Sequence, residues 1–228
     1  MPKYKTLLFD ADQTLLDFHR SEHEAVTDCL NALGIPVSSE TIAKYSEINT
    51  SYWKMLERGE IEKKKLYSAR WKTFAEFYGY DIDAEGISRL YLERLAEKAY
   101  VLDGAEQLCE RLSKHCRIYI ITNGNKSVQD GRMGKLSISR LFLDRFISEE
   151  IGYEKPSVEY FNIVKSKIPD FDPDTTLVIG DSLTSDIQGG INAGLDTCWY
   201  NPQGKPAPEG MNITYTVSKF SEIEDIVL

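Results

Sequence analysis

From Val101 onward the chain alternates between short apolar runs and helical patterns, and this alternation constrains the fold more than any other feature. The apolar runs are short and bounded by turn residues, which indicates buried strands and not helices. Strands that alternate with helices form a mostly parallel sheet with helices on both faces. We therefore predict an α/β protein with a doubly wound parallel sheet, with later strands at 117–121, 146–148, 176–179 and 197–200. The helices predicted among them include one at 186–193, and a last helix is predicted at 217–228.

A further strand is predicted at the start of the chain. Apolar residues 7–9 run directly into Asp10, Ala11 and Asp12. Residues two apart in an extended chain point the same way, so both carboxylates can converge at the carboxyl end of this strand. Ligands bind at that end in open α/β sheets, and two adjacent carboxylates call for a cation or a shared proton. The alternative is a solvated acidic turn in which Thr14 is a helix N-cap.

The region between the first strand and Val101 has helical patterns and almost no strand signals. Apolar residues at helical spacing predict four successive helices, at about 19–33, 39–56, 62–78 and 85–98. Four helices in a row indicate a helical bundle inserted after the first strand. We predict an inserted helical domain at 18–99 and a core formed by 1–17 together with 100–228.

Composition excludes several classes of partner. The chain has 27 Lys and Arg residues against 36 Asp and Glu, and this net charge of −9 disfavours a nucleic acid polymer or an anionic membrane surface. The four cysteines show no CxxC spacing, which argues against disulfides and a zinc site. The apolar runs are too short for a membrane span, and residues 1–5 do not resemble a signal peptide. We expect a cytoplasmic protein with reduced thiols.

Polar residues follow the later strands as well. Thr122, Asn123 and Gly124 come directly after 117–121, and a hydroxyl with backbone N–H groups at such a turn can hold a phosphate oxygen. An ordinary strand–helix loop is the alternative there. Lys155 precedes a proline, which biases its backbone toward an extended conformation. A lysine held in this way can present its ammonium group to a phosphate, although most lysines are merely solvated.

The strand at 176–179 leads into Gly180 and Asp181, and Asp186 follows five residues later. Asp186 alone is equally compatible with a helix N-cap. Parallel strands bring all these groups to one edge of the sheet, and their oxygen atoms suit Mg²⁺, which binds a few carboxylates and keeps several waters. A site for a metal and a phosphate is therefore predicted from Asp10, Asp12, Thr122, Lys155, Asp181 and Asp186.

Together these segments resemble the motifs of the haloacid dehalogenase superfamily phosphatases. Asp-Ala-Asp-Gln-Thr at 10–14 matches the family motif DxDxT, and Thr122 and Lys155 match its second and third motifs. Gly-Asp-Ser at 180–182 with Asp186 matches the fourth. The resemblance covers nearly the whole chain, and it implies that the helical insert is the cap of that family.

The resemblance implies the chemistry of the site. Asp10 is the expected nucleophile, which attacks phosphorus to give an aspartyl-phosphate. Asp12 is expected to protonate the leaving alcohol and then to deprotonate the hydrolytic water. A departing halide needs no such acid, so Asp12 favours a phosphate ester over a carbon–halogen bond.

The resemblance also implies the binding roles. Thr122, Asn123 and Lys155 are expected to hold the phosphoryl oxygens. Mg²⁺ is the implied cofactor, because it neutralises charge between nucleophile and phosphate. Its implied ligands are Asp10, Asp12 through the backbone carbonyl, Asp181 and Asp186 in a supporting position.

The segments 53–61, 129–132, 147–150 and 189–197 resemble the superfamily's 5′-nucleotidases for non-standard pyrimidines. This implies a small phosphate ester, a nucleoside (pyrimidine) monophosphate, as substrate. The alternatives are a phosphatase for another small ester such as phosphoglycolate, a phosphosugar mutase, and a non-enzymatic phosphate-binding module. We predict a monomer or a homodimer.

Overall fold

The computed structural model describes residues 2–228, in which it shows six strands and ten α-helices. The strands are β1 (Thr6–Asp10), β2 (Arg117–Thr122), β3 (Arg145–Ile147), β4 (Thr176–Gly180), β5 (Asp196–Tyr200) and β6 (Tyr215–Val217). The helices are α1 (Phe18–Ala32), α2 (Ser39–Glu57), α3 (Lys63–Tyr78), α4 (Ala84–Glu97), α5 (Ala105–Leu112), α6 (Lys126–Met133), α7 (Ser148–Ile151), α8 (Val158–Lys167), α9 (Gln188–Asn192) and α10 (Phe220–Val227). Two 3₁₀ turns (Ser137–Leu141 and Pro173–Thr175) and one π-helical turn (Leu183–Ile187) complete these elements.

The six strands form one parallel sheet in the order β3-β2-β1-β4-β5-β6. The chain starts at the central β1, proceeds through β2 to β3 at one edge, and then returns to β4 and runs to β6 at the other edge. Every residue of β1 and β4 is buried, which explains why both strands are nearly continuous apolar runs. The order reverses between β1 and β4, and open α/β sheets bind ligands at such a switch point.

Each face of the sheet packs against its own hydrophobic cluster. Leu7 and Phe9 point into a cluster that includes Leu108 of α5. Leu8 points to the opposite face, into a cluster that includes Phe161 of α8. Successive side chains of a strand alternate between faces, so helices on both sides are required to cover these apolar residues.

Helices α1 to α4 form a separate compact unit with its own core. Four aromatic side chains occupy its centre, with ring centroids between 4.3 and 6.0 Å apart: Tyr45, Trp71, Phe74 and Tyr91. Local sequence sets the helix ends. Ser38 caps α2 by accepting the N–H of Thr41, and Gly79 ends α3 with a φ of 71°.

The chain divides into two compact units. One comprises the residues up to Asp17, Val101–Lys126 and Met133–Leu228, and the other comprises Phe18–Tyr100 with Ser127–Arg132. The predicted fold class, a doubly wound parallel sheet with an inserted helical region, is confirmed. The domain boundaries proposed from the sequence, 18–99 against 1–17 with 100–228, stay a prediction. In the described part of the chain, no helix is both long enough and apolar enough to cross a membrane.

Three local features differ from the sequence-based expectation. A helix from Val217 was expected near the end, but Val217 closes strand β6 and the helix begins at Phe220. Ser148 was expected in β3, but it begins α7. The helix expected from Asp186 is preceded by the π-helical turn, in which the N–H of Ile187 donates to the carbonyl of Ser182, five residues earlier.

Candidate active site

Three adjacent strands end at the same edge of the sheet and deliver the polar residues of the site. Asp10 is the last residue of β1 and lies opposite Ile121 of β2, so Thr122 follows one step further along. Asp181 follows the last residue of β4, which pairs with β1 on its other side. The order β2-β1-β4 therefore places Thr122, Asp10 and Asp181 side by side.

Carboxylate oxygens of Asp10, Asp181 and Asp186 lie within 4.8 Å of one another. Asp10 and Asp186 are 7% and 1% exposed, so this cluster is largely shielded from water. The close approach of Asp186 depends on Gly180, because a Cβ at Gly180 would lie 2.3 Å from Oδ2 of Asp186.

Lys155 joins this cluster from a loop between α7 and α8. Its Nζ donates to Oδ1 of Asp10 at 2.7 Å, to Oδ1 of Asp186 at 2.6 Å and to the carbonyl of Ile121 at 3.1 Å. The side chain is only 1% exposed. All three donor hydrogens of the ammonium group thus have acceptors, as a buried lysine requires.

The cluster carries uncompensated negative charge. Burial raises the pKa of Asp10 well above its ordinary value, and the Asp186 charge raises it further, against the opposing effect of Lys155. Burial and the Asp10 charge likewise raise the pKa of Asp181. Burial alone would lower the pKa of Lys155, but the Asp10 and Asp186 carboxylates outweigh it and raise that pKa. With all three carboxyl groups ionised, three carboxylates around one ammonium have a net charge of −2, which one divalent cation would neutralise.

The segment after β1 folds into a tight turn that carries Thr14 back over the cluster. Gln13 has a φ of 64°, and the N–H groups of Leu15 and Leu16 both donate to the carbonyl of Ala11. The Thr14 hydroxyl lies 3.1 Å from Oδ2 of Asp10 and 3.5 Å from Oδ1 of Asp181. The Thr14 hydroxyl is therefore within hydrogen-bonding distance of both carboxylates.

Asp12 lies in this turn, past the end of β1, and is half-buried. Its side chain does not belong to the three-carboxylate cluster found among residues 2–228. Its charge is nevertheless close enough to contribute to the raised pKa of Asp10. Asp12 therefore lies near the end of β1, close enough for its charge to act on the Asp10 carboxylate.

The turn after β2 is held in place by its own side chains. The Thr122 Oγ1 accepts the N–H of Gly124 at 2.9 Å. The Asn123 amide pairs with the backbone of Lys155 in both directions, accepting its N–H at 2.8 Å and donating to its carbonyl at 2.8 Å. Asn123 thus fixes the loop that carries Lys155, a positioning contact in addition to the phosphate contact expected from the sequence.

The residues present fit a divalent metal ion of the magnesium type. Each oxygen of Asp186 already accepts from a protein group, Lys155 on Oδ1 and the Ser182 N–H on Oδ2. Oδ2 of Asp10 and Oδ1 of Asp181 both face the Thr14 hydroxyl, at 3.1 and 3.5 Å. A donor set made of oxygen atoms with excess negative charge is the kind that Mg²⁺ binds. Asp10 and Asp181 would hold the ion, and Asp186 would support the site.

Sequence reasoning missed two buried aromatic residues that contact the site through polar atoms. The Tyr160 hydroxyl accepts the N–H of Thr122 at 3.2 Å, and the Trp199 indole N–H donates to the carbonyl of Asp181 at 2.9 Å. No sequence signal distinguished them from ordinary core residues, because both lie in apolar segments.

A second concave region lies at the opposite end of the strands. This shallow cavity of about 570 Å³ is lined by residues that precede or begin strands, including Lys5, Arg117 and Thr175. None of the predicted metal- and phosphate-binding residues lines this cavity. The acidic cluster, and not this cavity, is therefore the candidate active site.

A doubly wound parallel sheet with buried carboxylates and a lysine at its switch point is the arrangement expected of a haloacid dehalogenase-like hydrolase. The model of the haloacid dehalogenase-like hydrolases matches residues 4–194. The chain is 38% identical to the HAD-hydrolase YfnB of Bacillus subtilis, over 100% of this chain and 97% of YfnB. A crystal structure of YfnB bound to magnesium superposes with a TM-score of 0.94 and covers 98% of both chains.

Two further relatives are named as nucleotidases. The chain is 35% identical to the pyrimidine 5′-nucleotidase PynA of Streptococcus pneumoniae, over 97% of this chain and 94% of PynA. It is 30% identical to the pyrimidine 5′-nucleotidase YjjG of Escherichia coli, over 99% and 98% of the two chains. The chain belongs to the haloacid dehalogenase-like hydrolases, and the predicted family is confirmed.

Proposed function

We propose that this protein is a Mg²⁺-dependent phosphoric monoester hydrolase that acts through an aspartyl-phosphate intermediate. The observation that carries the proposal is the Lys155 ammonium group, which bonds Asp10 at 2.7 Å at the carboxyl end of β1. A carboxylate paired in this way remains available as an oxygen nucleophile, and a phosphate placed beside it would meet a fixed positive charge. Family membership and the magnesium-bound structure of YfnB support the same assignment.

In the first step an oxygen of Asp10 attacks phosphorus, and the bond from phosphorus to the ester oxygen breaks. Asp12 transfers a proton to the departing alkoxide, which leaves as an alcohol. In the second step Asp12, now ionised, takes a proton from water, and the resulting hydroxide attacks phosphorus. The bond between phosphorus and Asp10 then breaks, which regenerates the carboxylate and releases inorganic phosphate.

Thr122 and Lys155 act on the phosphoryl oxygens through a hydroxyl and an ammonium group. Lys155 also offsets the charge of Asp10, which would otherwise repel the incoming anion. Asp10, Asp181 and the backbone carbonyl of Asp12 would hold the metal ion, with Asp186 in a supporting position. When bound, Mg²⁺ supplies positive charge that stabilises the transferring phosphoryl group.

The substrates we propose are pyrimidine nucleoside monophosphates, which would make the protein a 5′-nucleotidase. The support is the similarity to PynA and YjjG over almost the full length of the chain. The net charge of −9 makes local positive groups necessary for binding an anionic nucleotide, and Lys155 provides one at the reacting position.

Phosphate release from a panel of esters, with Mg²⁺ and with a chelator, tests the proposal. We expect hydrolysis of uridine and thymidine 5′-monophosphates with Mg²⁺ and none with the chelator. Asp10→Asn should abolish turnover, whereas Asp174→Asn, which changes an exposed carboxyl, should retain it. Turnover of phosphoglycolate alone would overturn the nucleotidase assignment. An isomeric product without free phosphate would instead indicate a mutase. Binding of phosphate esters without any turnover would indicate a non-enzymatic module.

A further inference from the structure

Tyr160 lies in the first turn of α8 and is fully buried beneath the end of β2. Its hydroxyl donates to the carbonyl of Phe146 in β3 at 2.6 Å and accepts the N–H of Thr122 in β2 at 3.2 Å. One phenol therefore bridges the backbones of β2 and β3 where the two strands end. Burial raises the pKa of this phenol, so it stays a neutral donor and acceptor.

The bond to Thr122 concerns the phosphate half of the proposed site. Thr122 is the last residue of β2, and its Oγ1 accepts the N–H of Gly124 at 2.9 Å. Any displacement of Thr122 is therefore passed on to the turn that follows it. Without the phenol oxygen, the Thr122 N–H loses an acceptor in a buried position, and the strand end is free to shift. A shift of a few tenths of an ångström changes the hydrogen bonds that a phosphate can make there.

Trp199 makes the corresponding contact on the other side of β1. It lies in β5 opposite Gly180 of β4 and is 2% exposed. Its indole N–H donates to the carbonyl of Asp181 at 2.9 Å. This bond fixes the backbone of Asp181 immediately after β4, and so it sets where the carboxylate of this metal ligand can reach.

We propose that Tyr160 and Trp199 are positioning residues that act separately on the two halves of the site, Tyr160 on phosphate binding and Trp199 on metal binding. This inference rests on the proposed function, because it assigns Thr122 to the phosphate and Asp181 to the metal. The separation follows from the sheet order, in which β1 lies between the strand that ends at Thr122 and the strand that precedes Asp181.

Calorimetric titration of the whole protein with Mg²⁺ alone, and with inorganic phosphate at saturating Mg²⁺, tests the separation without relying on turnover. For Tyr160→Phe we expect about tenfold weaker phosphate binding and Mg²⁺ affinity within about twofold of wild type. For Trp199→Phe we expect Mg²⁺ binding weakened about tenfold or more, with phosphate affinity at saturating Mg²⁺ within about twofold. In kinetics, Tyr160→Phe should raise KM for the ester more than it lowers kcat.

Tyr119→Phe is the matched control, because Tyr119 is a second buried tyrosine beside β3: it lies in β2, is 4% exposed and stacks on Phe146, whereas the phenol that accepts the Thr122 N–H is that of Tyr160. It should leave both affinities within about twofold of wild type. The inference would be overturned if both variants lost affinity equally for Mg²⁺ and for phosphate, or if neither variant changed either affinity. A wild-type protein that binds Mg²⁺ and phosphate but hydrolyses no ester would refute the proposed activity alone, and the two affinities would still decide the roles of Tyr160 and Trp199.

Discussion

Gly180 and Asp186 are in such close contact that no side chain fits between them. A Cβ at Gly180 would lie 2.3 Å from Oδ2 and 2.4 Å from Cγ of Asp186, far inside van der Waals contact. The Asp186 carboxylate occupies this position because Lys155 and the Ser182 N–H bind its two oxygens. The last residue of β4 thus shapes the site by having no side chain.

Gly180→Ala is therefore expected to displace the Asp186 carboxylate and to weaken its bond to Lys155. Overpacking of this kind typically costs about 1–3 kcal/mol of stability. We expect a folded protein whose kcat/KM falls at least about tenfold, measured by phosphate release alongside a urea unfolding curve. An alanine variant with wild-type kcat/KM would mean that the Asp186 position does not matter for catalysis.

The central strands and the strand-end residues were predictable for a physical reason. β1 and β4 are buried on both faces, so each is a continuous apolar run, and a polar residue marks where each run ends. Parallel strands then bring Asp10, Thr122 and Asp181 to one edge whatever the details of packing. These three residues can therefore be picked out from the sequence alone, and they lie together in the structure.

Other features depend on contacts that no local pattern encodes. β6 is a three-residue edge strand with one exposed and one half-buried residue, so it has no continuous apolar signal. Lys155 reaches the site from a loop and not from a strand end, held there by the Asn123 amide. Tyr160 and Trp199 look like core aromatic residues in the sequence, because their polar partners are backbone groups distant along the chain.

Lys155→Met is expected to destabilise the protein as well as to inactivate it. Asp10 and Asp186 would keep their burial but lose their cationic partner. Removing one partner of a buried ion pair costs about 3–5 kcal/mol. Urea unfolding at neutral pH without added metal measures this loss.

Lys167→Met, which removes an exposed lysine from α8, is the matched control for that experiment. It should change the free energy of unfolding by less than about 0.5 kcal/mol. Equal stability of the two variants would contradict a buried ion pair at Lys155.

Glu22 gives the helical unit a pH-dependent stability. Its buried carboxylate accepts from Ser46 Oγ at 2.6 Å and from Asn49 Nδ2 at 2.6 Å, and burial raises its pKa in spite of these bonds. Because the folded-state pKa lies above the unfolded value of about 4.3, Glu22 contributes its full stability below that pH. This contribution is lost as pH rises through the folded-state pKa.

Glu22→Gln should remove that dependence. We expect the free energy of unfolding of the wild type, minus that of the variant, to decrease as the pH rises from 4 to 7. Urea unfolding at several pH values measures this difference, with Glu47→Gln as a control on an exposed surface pair. A difference that stays constant with pH would contradict the raised pKa of Glu22.

Asp12→Asn tests the proton transfer to the leaving group. Loss of a general acid typically slows a reaction by about 10²–10⁴-fold, but only where the leaving group needs the proton. We expect kcat/KM to fall by this factor for a nucleoside monophosphate, whose alkoxide leaves poorly. The fall should be much smaller for an aryl phosphate, whose phenolate leaves without a proton.

The comparison must use kcat/KM and not kcat. The ratio kcat/KM reports steps up to formation of the aspartyl-phosphate, where the two leaving groups differ. The later attack of water also requires Asp12 and is the same for both substrates, so kcat should fall for both, with a burst of phenol from the aryl ester. Asp10→Asn, by contrast, should abolish the reaction of both substrates. Equal losses of kcat/KM in Asp12→Asn would rule out Asp12 as the acid and leave it a role only in the water step.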